Sequence, residues 1–290
     1  MQIVFHIGAH CTDDGQIQAC LSKNRAILAR EGIIVPNPGR FRAILRETLL
    51  VLNGEPASPE VQEIMLDSIL TEDRPERIIF SNDAFLCGVK KVVSGQGLYP
   101  EAAEKVMKLY NLFPDENVEF CLALRNPATF LPACFAKTEA PSFAEYLAHI
   151  DPMSLRWSDV ISRIKAQLPN VPLRVWSNED TPFIWRELIH EIADSDTSTK
   201  LEGLDDFVNS IMLPEGVERM AAYLETRPPA NETQRRRILS AFLDKFEKED
   251  DEPEVETPSW TEEYLTRLTE FYEQDLFAIE RMPGVDFISP

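Results

Sequence analysis

Short apolar runs of strand length alternate with helical patterns from residue 2 to about residue 195, and this alternation constrains the fold more than any other feature. Such a pattern predicts a parallel sheet with helices on both faces, an α/β sandwich. The predicted strands are residues 2–8, Ile33–Pro36, Arg77–Ser81, Val118–Leu124 and Leu173–Trp176. The predicted helices are residues 16–31, 40–53, 58–71, 101–113, 142–149, 155–168 and 182–194.

The remainder of the chain, residues 196–290, has a mainly helical pattern that we expect to pack on the core of residues 1–195. A charge-rich stretch near 245–257 predicts a solvated loop. A last amphipathic helix is expected over residues 259–280, beginning at a Ser259 or Thr261 cap.

Net charge, apolar stretches and cysteine spacing indicate which binding partners and which compartment to expect. The formal charge of -20 argues against binding to nucleic acid or to anionic membranes. No apolar stretch has the length of a signal peptide core or a membrane span. The five cysteines lack CxxC spacing, which favours reduced thiols in a cytoplasmic protein with no metal site. Oligomeric state cannot be derived from these numbers.

Polar residues follow the predicted strands, and these are the candidates for chemistry. In parallel α/β sheets, ligands bind outside the carboxyl ends of the strands. The polar groups at those ends are His6–Gly15, Ser81–Asp83, Arg125–Pro127 and Asn178–Asp180.

The first of these groups has the form of an anion-binding loop. Gly8 and Gly15 lie in a turn between the first strand and the first helix. Such a turn presents backbone N–H groups, and the helix N-terminus adds about half a positive charge. By itself this is a weak signal, because many strand–helix turns contain glycine and bind nothing.

Several segments together resemble the bacterial sulfotransferase-like proteins of the P-loop superfamily. The N-terminal VFHIGAHCTDDGQIQ is similar to the family pattern HIGxHKTGTTxLQ, and GIIVP follows it as in that family. FCLALRNP resembles a second signature, a strand that ends in Arg-[Asn/Asp]-Pro, and IIFSNDAF resembles a strand that ends in Ser-Ser-Glu. The C-terminal FYEQDLFAIERMPGVDF also looks like the tail of these proteins.

The resemblance implies transfer of a sulfuryl group from 3′-phosphoadenosine 5′-phosphosulfate to a hydroxyl or amine on a small-molecule or glycan acceptor. His10 or Asp83 would act as the base, and Arg125 would hold the 3′-phosphate. The implied donor-binding residues are Gly8, Ala9, Cys11, Thr12, Gly15, Gln16 and Arg125.

The sequence departs from the family at positions that carry the chemistry. Cys11 stands where the family has the loop lysine, and Asp13-Asp14-Gly15 replaces Gly-Thr-Thr. Ala133 replaces the serine expected eight residues after Arg125, and Asp83 is a shorter carboxylate than the family's glutamate. Loss of one electrostatic contact to the reacting group typically costs about 10²–10³ in rate. Two carboxylates beside a phosphate would add repulsion.

These departures leave alternatives open. Asp13 and Asp14 could bind a divalent cation that bridges to phosphate, but capping of the next helix is the favoured role. In that case a carboxylate occupies the place of the anion, no cofactor is required, and the chain is a catalytically degenerate binding or interaction protein. His6 is interpreted as a core histidine that bonds to backbone, and Arg125 could instead form a salt bridge. A nucleotide phosphotransferase is disfavoured because GxxxxGK[ST] is absent.

Overall fold

The computed structural model describes residues 1–70, 75–248 and 260–290. Its strands are β1 (Gln2–His6), β2 (Ile33–Ile34), β3 (Arg77–Ser81), β4 (Val93–Ser94), β5 (Gly97–Leu98), β6 (Asn117–Leu124), β7 (Leu173–Ser177) and β8 (Val285–Ile288). Its α-helices are α1 (Gln16–Lys23), α2 (Arg25–Leu28), α3 (Pro38–Leu52), α4 (Pro59–Ile69), α5 (Ala102–Tyr110), α6 (Pro127–Ala136), α7 (Phe143–Tyr146), α8 (Trp157–Gln167), α9 (Thr181–Ala193), α10 (Asp206–Ile211), α11 (Pro214–Thr226), α12 (Glu232–Phe246) and α13 (Glu262–Ile279).

A six-stranded sheet in the order β2-β3-β1-β6-β7-β8 forms the centre of the fold. Every pairing in it is parallel, and Phe5 of β1 lies opposite Phe80 of β3 and Phe120 of β6. The predicted α/β architecture, a parallel sheet flanked by helices, is therefore confirmed. Because β1 lies in the middle, the loop that follows it emerges at the centre of the sheet's carboxyl edge.

Side chains of β1 alternate between two cores, as the period of a strand requires. Ile3 and Phe5 are fully buried in the larger core, and Val4 is fully buried in the second core on the opposite face. The Phe5 ring stacks against Phe80 and Phe120 with centroid distances of 5.4 and 5.7 Å. Truncation of such a buried aromatic side chain typically costs about 3–5 kcal/mol. This packing fixes where β1 ends and the loop begins.

The C-terminal region contributes to the core as well as packing on it. Helix α13 lies against α8 and α6, and β8 pairs with β7 at the sheet edge, a strand that the sequence pattern did not predict. Thr261 caps α13 by accepting the Tyr264 amide at 3.2 Å. Ser259 and positions 249–257 of the predicted charged loop lie outside the described residues, and a domain boundary near residue 195 stays a prediction.

Several local predictions were wrong, among them the end of the second strand, which lies at Ile34 and not at Pro36. The first strand ends at His6, not at residue 8. The predicted helix 16–31 is interrupted at Asn24, whose side-chain amide donates to Cys20 O at 2.9 Å and to Glu202 O at 2.8 Å. Helix α6 was not expected, although Asn126 caps it by accepting the Ala128 amide at 3.0 Å.

Within the described ranges, none of the helices is both long enough and apolar enough to cross a membrane.

Candidate functional site

The loop between β1 and α1 follows a tight path against the end of β3. Four of its residues have positive φ: Gly8 at 108°, Cys11 at 54°, Asp14 at 45° and Gly15 at 81°. Gly8 requires glycine for a second reason, because a Cβ there would lie 3.1 Å from Asp83 O. The loop and the residues after β3 are thus held in direct contact.

Asp13 accepts backbone N–H groups at the start of α1. Its carboxylate Oδ2 accepts the Ile17 amide at 2.8 Å, and its carbonyl accepts the Gln16 amide at 2.8 Å. Asp13 is only 5% exposed. The predicted capping role is confirmed for Asp13, and a carboxylate of the chain itself satisfies a first-turn N–H that a phosphate would otherwise need. Asp14, by contrast, is exposed and pairs with Lys137 Nζ at 3.0 Å.

Arg125 fastens the same loop from the side of β6. Its Nη1 donates to Cys11 O at 2.5 Å and its Nε donates to Thr129 Oγ1 at 3.0 Å, while the residue is almost entirely buried. Its own carbonyl accepts the indole N–H of Trp157 at 2.9 Å. Ala133, which replaces the family's serine, is buried in the larger core. The guanidinium therefore supports loop backbone at the place where the resemblance puts a 3′-phosphate.

The two histidines of the loop region are buried beside hydrogen-bonding partners. His10 contacts Tyr99: its Nδ1 lies 2.7 Å from the phenolic oxygen, and its backbone N–H donates to that oxygen at 3.1 Å. His6 Nδ1 lies 2.8 Å from Ser81 Oγ, and the His6 ring also interacts with the backbone of Gly8, in line with the expected bond to backbone. Burial lowers the pKa of His6 and of His10, which favours the neutral rings.

The other predicted donor-binding residues have mainly structural contacts. Thr12 Oγ1 donates to Ala9 O at 2.9 Å, inside the loop. Gln16 Nε2 donates to Ser210 Oγ of α10 at 3.1 Å. Asp83 is exposed beside the loop. These contacts place Gln16 against the C-terminal region and leave Asp83 as the predicted site residue with the most open surroundings.

The polar residues after β7 form a structural network. The Glu179 carboxylate accepts hydrogen bonds from the backbone N–H of Asn126 at 2.8 Å, from the Ser177 hydroxyl at 2.7 Å and from the Tyr272 hydroxyl at 2.9 Å. Tyr272 also donates to Leu124 O at 2.9 Å. Glu179 thus joins the ends of β6 and β7 to α13. Burial raises the pKa of the neighbouring Asp180 carboxyl.

The structure adds a thiol pair that sequence reasoning missed. Cys11 Sγ and Cys134 Sγ lie 3.9 Å apart, and both residues are buried. The hydrogen bond from Cys134 lowers the pKa of the Cys11 thiol, burial opposes this, and the positive charges of Lys137 and Arg125 assist it. Burial raises the pKa of Cys134. No local signal could have paired positions so far apart along the chain.

A cavity of about 250 Å³, here called the loop cavity, opens between the loop, α1 and the end of β3. Its walls include His6, Asp13, Gln18, Arg42 and Asp83. Asp13 and Asp83 belong to the candidate residues of the sequence analysis, and Gln18 ends the segment that resembles the family pattern; the fold brings Arg42 beside them. Among the described residues, no three His, Cys, Asp or Glu side chains come together in a way that could hold a metal ion.

A larger cavity of about 790 Å³ lies beside α9, away from the loop. Two of its charged lining residues pair with each other: Arg186 Nη2 lies 2.7 Å from Asp205 Oδ1. Its lining residues include none of the described buried side-chain atoms that lack a hydrogen-bond partner. The loop cavity does include such atoms, and it is therefore the better candidate site.

Comparison with known proteins gives one weak likeness. No model of a protein family matches the chain, and no curated protein matches it. A solved sulfotransferase from Alicyclobacillus acidocaldarius is similar to it over 80% of this chain and 98% of the other, with 14% sequence identity and a TM-score of 0.37. A TM-score of 0.37 is too low for this likeness to support a fold or an activity by itself.

Proposed function

We propose that this chain is a non-catalytic binding protein built on a sulfotransferase-like frame. The observation that carries the proposal is the hydrogen bond from the Ile17 amide to Asp13 Oδ2. It replaces the contact that a helix N-terminus would offer to a phosphate or sulfate, and it places a fixed negative charge there. The alternative, transfer of a sulfuryl group to a hydroxyl or amine acceptor, requires an anion at the same position.

The residues present do not fit the phosphosulfate donor. Cys11 supplies no positive charge at the loop-lysine position, and the nearby cations Lys137 and Arg125 are engaged with Asp14 and with the Cys11 carbonyl. A unit charge pair at 4 Å is worth about 1 kcal/mol in water and about 4 kcal/mol near a protein surface. A helix N-terminus returns only about 0.3–1 kcal/mol for an exposed anion. Repulsion from Asp13 alone therefore offsets the attraction that the loop geometry would provide.

Isothermal titration of the full chain with 3′-phosphoadenosine 5′-phosphate, with and without magnesium, tests the proposal directly. We expect no binding at nucleotide concentrations up to about 1 mM, which corresponds to a binding free energy weaker than about -4 kcal/mol. A dissociation constant in the micromolar range would contradict the non-catalytic role and restore the transferase.

Two variants test whether Asp13 is the reason why the loop excludes anions. Asp13→Ala frees the Ile17 amide and removes the charge, so inorganic sulfate should bind this variant more tightly than the wild-type chain. Asp14→Asn is the matched control, because it removes a neighbouring charge that makes no bond to α1 and pairs with Lys137 instead. Equal sulfate binding by wild type and Asp13→Ala would show that the cap does not exclude anions.

A further inference from the structure

Two residues that line the loop cavity each carry a buried side-chain atom without a hydrogen-bond partner among the described residues: His6 Nε2 and Gln18 Oε1. His6 is 1% exposed and Gln18 is 8% exposed. A buried polar atom without a partner typically costs about 1–3 kcal/mol, and such atoms in a native protein call for a physical explanation. A ligand that completes both bonds is one such explanation.

The chemistry of these two atoms indicates what the ligand must supply. The Gln18 side-chain Nε2 already donates to Ser22 Oγ at 2.8 Å, so its free Oε1 is an acceptor. Burial lowers the pKa of His6, which favours the neutral ring, and its Nδ1 is engaged with Ser81 Oγ at 2.8 Å. In the tautomer in which Nδ1 donates to Ser81, Nε2 presents a lone pair. Both atoms then require a hydrogen-bond donor.

Charge in the cavity points to the same kind of ligand. The carboxylates of Asp13, Asp14 and Asp83 line it; Asp14 is paired with Lys137, which leaves Asp13 and Asp83 against the guanidinium of Arg42. Arg42 Nη2 donates to Ser81 O at 3.2 Å, and Asp13 uses only its Oδ2 for the helix cap. The formal balance is negative, which attracts a cation and repels phosphate or sulfate.

We propose that the loop cavity binds a small primary amine as its ammonium ion, which donates to Gln18 Oε1 and His6 Nε2 while Asp13 and Asp83 supply the opposing charge. A metal ion would meet the charge but not the ligand set, since no cluster of three suitable ligands exists among the described residues. The volume of about 250 Å³ equals that of about eight liquid waters, which limits the ligand to a small molecule.

Titration with ethanolamine, followed by NMR of isotope-labelled histidine side chains, tests this site in the full chain. We expect saturable shifts of the His6 ring resonances, with a dissociation constant in the millimolar range or below. Choline is the matched probe, because it carries the same charge and hydroxyl but no N–H donor on nitrogen. Its binding should be at least about tenfold weaker, the usual effect of losing hydrogen bonds between a charged donor and buried acceptors.

Variants separate the contribution of the hydrogen-bond acceptor from that of the negative charge. Gln18→Leu should weaken ethanolamine binding by about tenfold through loss of the acceptor. Asp83→Asn should weaken it by about fivefold through loss of charge, and this exposed position is expected to leave folding intact. Asp159→Asn is the matched control, because Asp159 lines a different cavity, and it should leave the affinity unchanged.

Three results would overturn the amine site: no saturable His6 shift at about 20 mM ethanolamine, equal binding of choline, or unchanged affinity in both Gln18→Leu and Asp83→Asn. The proposed amine site rests on the proposed binding role of the same loop, but different experiments would contradict each of these two proposals. Nucleotide binding overturns the non-catalytic role, whereas a silent ethanolamine titration overturns the amine alone.

Discussion

Replacement of Asp13 by alanine should destabilise the protein by an amount that the geometry of the helix cap determines. The substitution removes the acceptor of the Ile17 amide, whose bond to Oδ2 is 2.8 Å long and buried. Loss of a helix cap typically costs about 0.5–2 kcal/mol, and an unsatisfied buried donor costs about 1–3 kcal/mol. Because both figures describe the same loss, we expect a decrease of about 2 kcal/mol in the free energy of unfolding.

Urea unfolding followed by the fluorescence of the buried tryptophans measures this decrease, with an unchanged slope and a lower midpoint. The melting temperature should fall by about 4 °C, at about 2 °C per kcal/mol for a protein of this size. Asp13→Asn retains an amide oxygen as acceptor and should cost less than half as much. Asp14→Asn keeps a residue that tolerates the positive φ and should change the stability by less than about 0.5 kcal/mol.

Two outcomes would refute the Asp13 cap as a reason for the shape of the loop. One is an Asp13→Ala variant that is as stable as the wild-type protein. The other is an Asp14→Asn variant that loses as much stability as Asp13→Ala, because Asp14 makes only an exposed ion pair with Lys137. Either result would mean that the Ile17 amide finds another partner at little cost.

Tyr99→Phe removes the hydroxyl that bonds both the backbone N–H and the ring of His10, and it should lower stability by about 1–3 kcal/mol in thermal unfolding, with a loss below about 0.5 kcal/mol counting against it. Glu119→Ala removes the buried carboxylate that pairs with Arg77 and leaves this guanidinium only a 3.8 Å ion pair with the exposed Asp194, so it should cost about 3–5 kcal/mol in urea, whereas Arg77→Met combined with Glu119→Leu should cost much less. Burial lowers the folded-state pKa of His6 and His10, so the unfolded chain binds more protons and stability falls as the pH drops below about 6.5. Replacement of both histidines by glutamine should reduce the difference in unfolding free energy between about pH 7.5 and 5.5, and an unchanged difference would contradict this.

The sequence predicted those parts of the fold that depend on neighbouring residues. Arg77–Ser81 was predicted as a strand with the bounds that the structure has, because its apolar run is bounded by polar residues on both sides. The interruption at Asn24 was missed because it depends on Glu202, which is distant in the chain. Strand β8 was missed for a similar reason: it is only half-buried, and its existence depends on pairing with β7.

The same distinction between local and long-range contacts applies to the candidate site. The Asp13 cap could be predicted because it joins residues four positions apart, within one turn of helix. The bonds from Tyr99 to His10 and from Arg125 to Cys11 join positions 89 and 114 residues apart, and no periodicity or spacing encodes them. The sequence therefore located the loop, while only the structure shows which groups hold it in place.

Those groups bear on what the loop can bind. Arg125 holds the Cys11 carbonyl, Tyr99 holds the His10 amide, and Asp13 holds the Ile17 amide, so the loop keeps its shape through contacts within the chain. In a phosphate-binding loop, an anion would supply part of this support. A loop that is already ordered adds little conformational cost to binding, and a ligand of few atoms has little free energy to spare for ordering its site. In the proposed binding role, the internal carboxylate of Asp13 stands where an anion would bind, and the preformed, negatively charged wall would favour a small cation.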